Sequence, residues 1–193
     1  MAAHHLVREF RIGISEAVLD VEDRVAGTLV NCEQALGALA QVSFDDRRSK
    51  TAARLTKGWQ RTLKRAARAK EACGSSTEAD PFHELRKRAQ DYRMHLGLMR
   101  ETWRSAMQAK RNEAKMLVDI LGHLNDLAVL VQLINEEPGL AGNSQDQAHL
   151  IAAVIARQEI LRGDALKLAA TVFQEQPDEE SRTIRLLWLD AAR

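Results

Sequence analysis

The side chains best placed for chemistry are the cations of residues 47–70, which read RRSKTAARLTKGWQRTLKRAARAK and include ten basic residues and no acid. Six of them recur every three or four residues and so share one face of a helix: Arg54, Lys57, Arg61, Lys64, Arg65 and Arg68. Four residues on the opposite side are expected to pack inward: Leu55, Trp59, Leu63 and Ala66. Charge runs are most often solvated faces, but those usually mix signs, so this segment favours an anion site.

A second polar row follows in residues 83–104, beside a predicted core stripe that runs from Phe82 to Trp103 in the segment FHELRKRAQDYRMHLGLMRETW. The row consists of His83, Arg86, Lys87, Gln90, Arg93, Gly97, Arg100 and Arg104. Gly97 removes side-chain bulk and lets another group approach the helix. His83 is predicted in the first turn, where backbone N–H groups favour anions. A lone histidine is more often structural, and its place among cations makes anion binding an equal alternative.

Asp126 is the other informative polar residue, because Leu124 and Leu127 flank it. We expect it to be partly buried and to orient His83 or Arg86 of the neighbouring helix, a supporting role rather than a catalytic one. The sequence has no glycine-rich phosphate loop, HExxH, CxxC pair or Gly-x-Ser-x-Gly elbow. We therefore expect no catalytic residue, no metal site and no cofactor.

Charge is distributed unevenly along the 193 residues, although the net charge is only +1. Residues 1–46 carry a net −5, residues 47–115 a net +12 and residues 116–193 a net −6. Such a segment creates a local field whatever the total. The two cysteines suit neither a disulfide scaffold nor a metal site, and no stretch approaches the roughly 20 apolar residues of a membrane span. A cytoplasmic protein without membrane contact is expected.

Hydrophobic spacing predicts six helices and no strand, an all-α antiparallel bundle forming one domain over residues 1–193. The predicted helices cover residues 15–42, 46–72, 81–103, 105–135, 144–173 and 177–188. Ser15, Ser105 and Ser144 are candidate N-caps. The composition agrees, because alanine, leucine and arginine are abundant and aromatic residues make up 4% of the chain.

Residues 82–103, followed by MLVDILGHLNDLAVLVQLI, resemble the second repeat of the CHAD family, the conserved-histidine α-helical domains. The matching positions are His83, Arg86, Lys87, Arg93, Leu121, Gly122, Asp126 and Leu127. Gln90 stands where the family usually has lysine, and Met94 where it usually has tyrosine. The resemblance covers residues 47–190 well and residues 1–46 loosely.

This resemblance implies two four-helix repeats facing across a basic cavity, of which the chain would supply the last six of eight helices. It also implies binding of inorganic polyphosphate without catalysis, often at polyphosphate granules. The polyphosphate-binding residues would be the six cations of residues 47–70 named above together with His83, Arg86, Lys87 and Arg93, with Asp126 in support.

Three other functions stay open. Nucleic-acid backbones would be attracted by the same cations. A phosphohydrolase would need a carboxylate cluster, for which the basic segment offers scattered acids such as Glu84, Asp91 and Glu113. A structural helical partner would bind no polyanion. We also expect a homodimer, because the first helix has an apolar stripe with no obvious cover: Val18, Val21, Val25, Leu29, Leu36 and Leu39.

Overall fold

The computed structural model describes residues 24–42, 47–76, 78–137 and 142–192. Within these ranges the chain forms six α-helices and no strand, which confirms the predicted all-α class. Helix α1 covers 24–40, and the others are α2 (Arg48–Gly74), α3 (Ala79–Leu98), α4 (Arg104–Glu136), α5 (Ser144–Val172) and α6 (Pro177–Ala191). A single 3₁₀ turn, Arg100–Thr102, links α3 to α4.

The chain divides into two units, Met1–Asp45 and Asp46–Arg193. The described part of the first unit is α1, whose large apolar side chains are 51–67% exposed. Ser15, Val18 and Val21 lie outside the described residues. The homodimer stays a prediction.

The second unit is a helical bundle in which α3 packs against α2 and α4, α4 against α5, and α6 against α2. Its core contains the predicted residues Trp59 and Leu63 of α2 and most of the predicted stripe of α3, from Phe82 to Met99. Two core predictions are wrong, since Leu55 is 39% exposed and Trp103 is 54% exposed. The reason at Trp103 is that α3 ends at Leu98, so the helical spacing no longer applies five residues later.

Three helix starts also differ from prediction. Helix α4 begins at Arg104, with Trp103 rather than Ser105 at the N-cap position. Helix α3 begins at Ala79 rather than at Pro81, so His83 lies in the second turn, beyond the free N–H groups of the helix start. Helix α5 is capped by Asn143 rather than Ser144, because the Asn143 side chain accepts hydrogen bonds from the backbone N–H groups of Gln145 and Asp146.

A buried carboxylate holds α6 to the rest of the bundle. Glu180 is 3% exposed and accepts hydrogen bonds from Trp59 Nε1 at 3.0 Å and from the Tyr92 hydroxyl at 2.8 Å. Lys110 Nζ lies 3.4 Å from the same carboxylate. Burial and the charge of Glu180 raise the pKa of Tyr92 above its ordinary value. Burial lowers the pKa of Lys110, but its acidic neighbours outweigh burial and raise it overall.

Helix α4 is more apolar than we expected from the sequence. It has an 18-residue window of mean hydropathy 1.6, enough by length and composition to cross a membrane, and 22% of that window is buried. Core helices of soluble bundles pass the same test, and α4 packs against both α3 and α5. The hydropathy of this one helix therefore does not by itself indicate a membrane span.

Candidate functional site

The six predicted cations of α2, here called the α2 face, all lie on the exposed side of that helix: Arg54, Lys57, Arg61, Lys64, Arg65 and Arg68. The buried positions Trp59, Leu63 and Ala66 lie on the opposite side, as predicted. Within the described ranges Lys64 is the member of the α2 face with a carboxylate partner, Asp178 of α6 at 3.2 Å. The α2 face is therefore an open, hydrated row of cations.

A second basic surface lies where α3 packs on α4. Arg86 of α3 crosses over Gly122 of α4, where an added Cβ would lie 3.8 Å from the guanidinium. Arg111 of α4 crosses over Gly97 of α3 in the same way, where an added Cβ would lie 3.6 Å from Nε. The prediction that Gly97 lets another group approach the helix is thus confirmed, and the group is a guanidinium.

Both arginines are half-buried, and both Nε atoms are buried without a hydrogen-bond partner in the part of the chain that the structure describes. Among the described residues neither side chain forms an ion pair. Arg93, also half-buried, lies on the same flank of α3, one turn before Gly97, and donates to Gln90 Oε1 at 3.3 Å. We call this surface the α3–α4 seam: Arg86, Arg93, Gly97, Arg111 and Gly122.

The α2 face and the α3–α4 seam are on different flanks of α3. Helix α2 contacts α3 through Trp59, whose ring lies 5.8 Å from that of Tyr92 and 5.9 Å from that of His95. Arg86 and Gly97 instead lie against α4. The structure thus brings Arg86 and Arg93 together with Arg111, but it does not place the cations of α2 in the same groove.

The remaining predicted cations of α3 contribute less to the seam. Lys87 is exposed, and its Nζ lies 3.9 Å from Glu84. Arg88, which was not among the predicted site residues, binds Glu84 at 2.7 Å and Asp91 at 2.8 Å. These two carboxylates, proposed above as candidates for a hydrolase, are therefore held by one arginine along α3.

The predicted burial of Asp126 is wrong, because its side chain is exposed. Among the described residues no hydrogen bond or ion pair joins it to His83 or Arg86, so the predicted support is not seen. The physical reason is the rotation of α4, which turns Leu121 and Leu124 into the core and leaves Asp126 at the rim. Arg86 instead lies on the backbone at Gly122, one turn earlier.

His83 is exposed at the mouth of a small pocket between α3, α4 and α5. Arg162 of α5 also lines this pocket, lies 5.8 Å from the Phe82 ring centre and pairs with Glu159 at 2.6 Å. The volume of this partly open pocket is about 20 Å³, enough for about one water molecule. This space is too small to hold a phosphate chain.

The sequence reasoning missed Arg111, the half of the seam that α4 supplies. A signal was available, because the spacing from Arg86 to Gly97 recurs from Arg111 to Gly122. Arg162 was also missed, and the periodicity of α5 gives no sign that it would meet Phe82.

Comparison with curated proteins and with solved structures gives no match. A family model, by contrast, matches residues 16–135. The matched residues begin within the segment that was expected to fit loosely and end before α5, and the expected extent of 47–190 stays a prediction. The match includes the whole α3–α4 seam and covers more than half of the 193 residues, and on that basis the chain belongs to the CHAD domain family.

Proposed function

We propose that this protein binds inorganic polyphosphate at the α3–α4 seam and does not hydrolyse it. The observation that carries the proposal is the pair Arg86 and Arg111, half-buried guanidinium groups that have no carboxylate partner among the described residues. The membership in the CHAD family supports the same ligand, because that family is associated with polyphosphate and triphosphate binding.

A cation that is partly removed from water and lacks a counter-ion raises the free energy of the unliganded protein. A phosphate oxygen that accepts hydrogen bonds from the guanidinium supplies the missing charge, and arginine can donate two parallel bonds to one phosphate. The glycine under each guanidinium adds no side chain beyond the backbone, which leaves the seam accessible to a thin, unbranched anion.

The α2 face has a different part in the proposal. Its cations are exposed, so each contact with phosphate is weak and screened by salt. Together they attract a polyanion and speed its encounter with the protein. The α2 face therefore contributes long-range attraction, whereas the α3–α4 seam contributes affinity.

Nucleic acid is the second candidate, and the openness of the α2 face favours it. Exposed cations at helical spacing meet the phosphates of RNA or DNA as readily as those of polyphosphate. The α3–α4 seam separates the two ligands, because a bare phosphate chain has no sugars or bases to keep it away from half-buried arginines. Polyphosphate should therefore displace RNA efficiently, and RNA should displace polyphosphate poorly.

The test is a titration of the full chain with long-chain polyphosphate at several salt concentrations, with a single-stranded RNA as competitor. Tight polyphosphate binding, a linear fall of log K with log salt and poor competition by RNA would support the proposal. Equal competition by RNA would favour the second candidate. Incubation with polyphosphate and Mg²⁺ should release no orthophosphate beyond the protein-free rate, and turnover that survives purification would make the protein an enzyme.

A further inference from the structure

Helices α3 and α4 carry the same sequence motif, Arg-x₂-Ala-x₆-Leu-Gly, in two copies 25 residues apart. The first copy consists of Arg86, Ala89, Leu96 and Gly97, and the second of Arg111, Ala114, Leu121 and Gly122. The alanine and leucine of both copies are buried, at 0–2% exposure. The two helices thus present the same four residues in the same order, with the apolar pair inward.

The packing of these helices makes the two copies reciprocal. The arginine of each copy lies over the glycine of the other, Arg86 on Gly122 and Arg111 on Gly97. In each pair the arginine precedes the glycine of its own helix by 11 residues and lies over the glycine of the other helix. The two helices are therefore antiparallel, and both pairs have the same register. A local two-fold axis therefore relates the two arginine–glycine pairs.

The distance between the pairs follows from helix geometry. Arg86 and Gly97 are 11 residues apart on α3, as are Arg111 and Gly122 on α4, which places the pairs about 16 Å apart along the seam. Arg93 lies between them on the α3 side and is half-buried. Lys115 lies between them on the α4 side, where it binds Asp119 at 2.5 Å.

We propose that the α3–α4 seam is a bivalent anion site with two equivalent arginine subsites, which selects phosphate chains long enough to contact Arg86 and Arg111 together. This inference rests on the proposed function and adds a minimum ligand length to it. Orthophosphate or pyrophosphate can reach one subsite only. For a chain that spans both, the second contact is intramolecular and benefits from a high effective concentration.

Because the two arginine subsites are equivalent, matched variants of each can test the proposal. Arg86→Gln and Arg111→Gln each remove one guanidinium from symmetric surroundings, and Arg61→Gln on the α2 face is the control. Calorimetric titrations would use pyrophosphate and polyphosphates of increasing length. For long chains, both seam variants should lose affinity by a similar factor of roughly 100, and the control by far less.

Pyrophosphate should bind two equal, weak sites in the unchanged protein and one site of the same affinity in each seam variant. Undetectable pyrophosphate binding together with tight binding of long chains would also support the length requirement. If either glutamine variant fails to fold, Gly122→Met and Gly97→Met give the same test, because each places a side chain where the opposing guanidinium lies.

Two results would overturn the inference while the proposed function stands. One is tight binding of long chains that depends on only one of the two arginines. The other is an equal loss for pyrophosphate and for long chains in each seam variant. Absence of polyphosphate binding by the unchanged protein would instead overturn the proposed function, and the bivalent site with it.

Discussion

The α2 face has more cations than the α3–α4 seam, yet the seam is the better candidate for specific binding. All six cations of the α2 face are exposed to water, whereas the three arginines of the seam are half-buried. Exposed charges are already well solvated, so binding an anion lowers their free energy little. Half-buried charges lose part of their hydration when the chain folds, and a bound anion replaces that favourable interaction. Burial and the lack of a counter-ion among the described residues therefore identify a binding site better than the number of charges does.

The largest expected effect is on affinity and compares two double variants of equal charge change. The double variant Arg86→Gln, Arg111→Gln should weaken polyphosphate binding by a factor of about 100–10,000, because each substitution removes a charge-assisted hydrogen-bonding group worth about 1.5–3 kcal/mol. The double variant Arg61→Gln, Arg65→Gln should weaken polyphosphate binding only a few-fold, because ion pairs between exposed groups contribute little free energy. Calorimetric titration at one salt concentration measures both, and a larger loss in the α2 variant would reverse the comparison.

A second prediction concerns stability and has the opposite sign to the first. Arg86→Met replaces a half-buried guanidinium, which has no ion-pair partner among the described residues, with an apolar side chain of similar length, so the unliganded protein should become more stable by about 1 kcal/mol. Arg61→Met on the α2 face should leave stability unchanged, because that side chain is exposed. Urea unfolding followed by circular dichroism measures both. Destabilisation by Arg86→Met would mean that the guanidinium packs favourably and is not strained by its lack of a partner.

A smaller effect is expected from two glycine substitutions. Gly58 lies within α2 and an added Cβ would meet no atom within 4 Å, so Gly58→Ala should raise stability by about 0.5–1 kcal/mol. Gly97→Ala should raise it less, because Gly97 is the penultimate residue of α3 and its new Cβ would contact Arg111 at 3.6 Å. Thermal unfolding measures the two gains. A loss of stability in Gly97→Ala would show that Arg111 needs more room than its distance indicates.

The smallest effect at neutral pH concerns Tyr92, the chain's single tyrosine, which reports on the core shared by both surfaces. Its raised pKa means that its contribution to stability is fully present below the ordinary tyrosine pKa of about 10 and is lost as the pH rises toward the folded value. Ultraviolet absorbance should show no tyrosinate in the folded protein at pH values where free tyrosine ionises. Early ionisation in a seam or α2 variant would reveal a damaged core rather than a lost ligand contact.

The helices could be predicted from the sequence because each buries one face, and the spacing from Phe82 to Met99 or from Trp59 to Ala66 records that face. Trp103 could not be placed, since nothing in its spacing shows that α3 stops at Leu98. The contacts between helices were the part of the structure that could least be predicted from the sequence. Asp126 was expected to orient His83 or Arg86 of the neighbouring helix, whereas the Arg86 guanidinium lies beside Gly122 and, among the described residues, no hydrogen bond or ion pair joins it to Asp126.

The candidate site could be predicted in part, because helical spacing shows which residues share one side of a helix. Arg86, Arg93 and Gly97 share a flank of α3, and helical spacing alone shows this. Whether these residues pack near Arg111 depends on the register of α4 against α3, and the spacing of residues within one helix gives no information about that register. The repeated Arg-x₂-Ala-x₆-Leu-Gly motif does indicate the register, because identical motifs on antiparallel helices can pack reciprocally.

Nuclear magnetic resonance of arginine Nε–H groups during titration with long-chain polyphosphate would show which of the two surfaces holds the ligand. We expect that the signals of Arg86 and Arg111 shift together and saturate, while those of Arg61 and Arg65 on the α2 face move less and lose their shifts as salt is added. Large, salt-resistant shifts at Arg61 and Arg65 with unchanged signals from Arg86 and Arg111 would contradict this expectation.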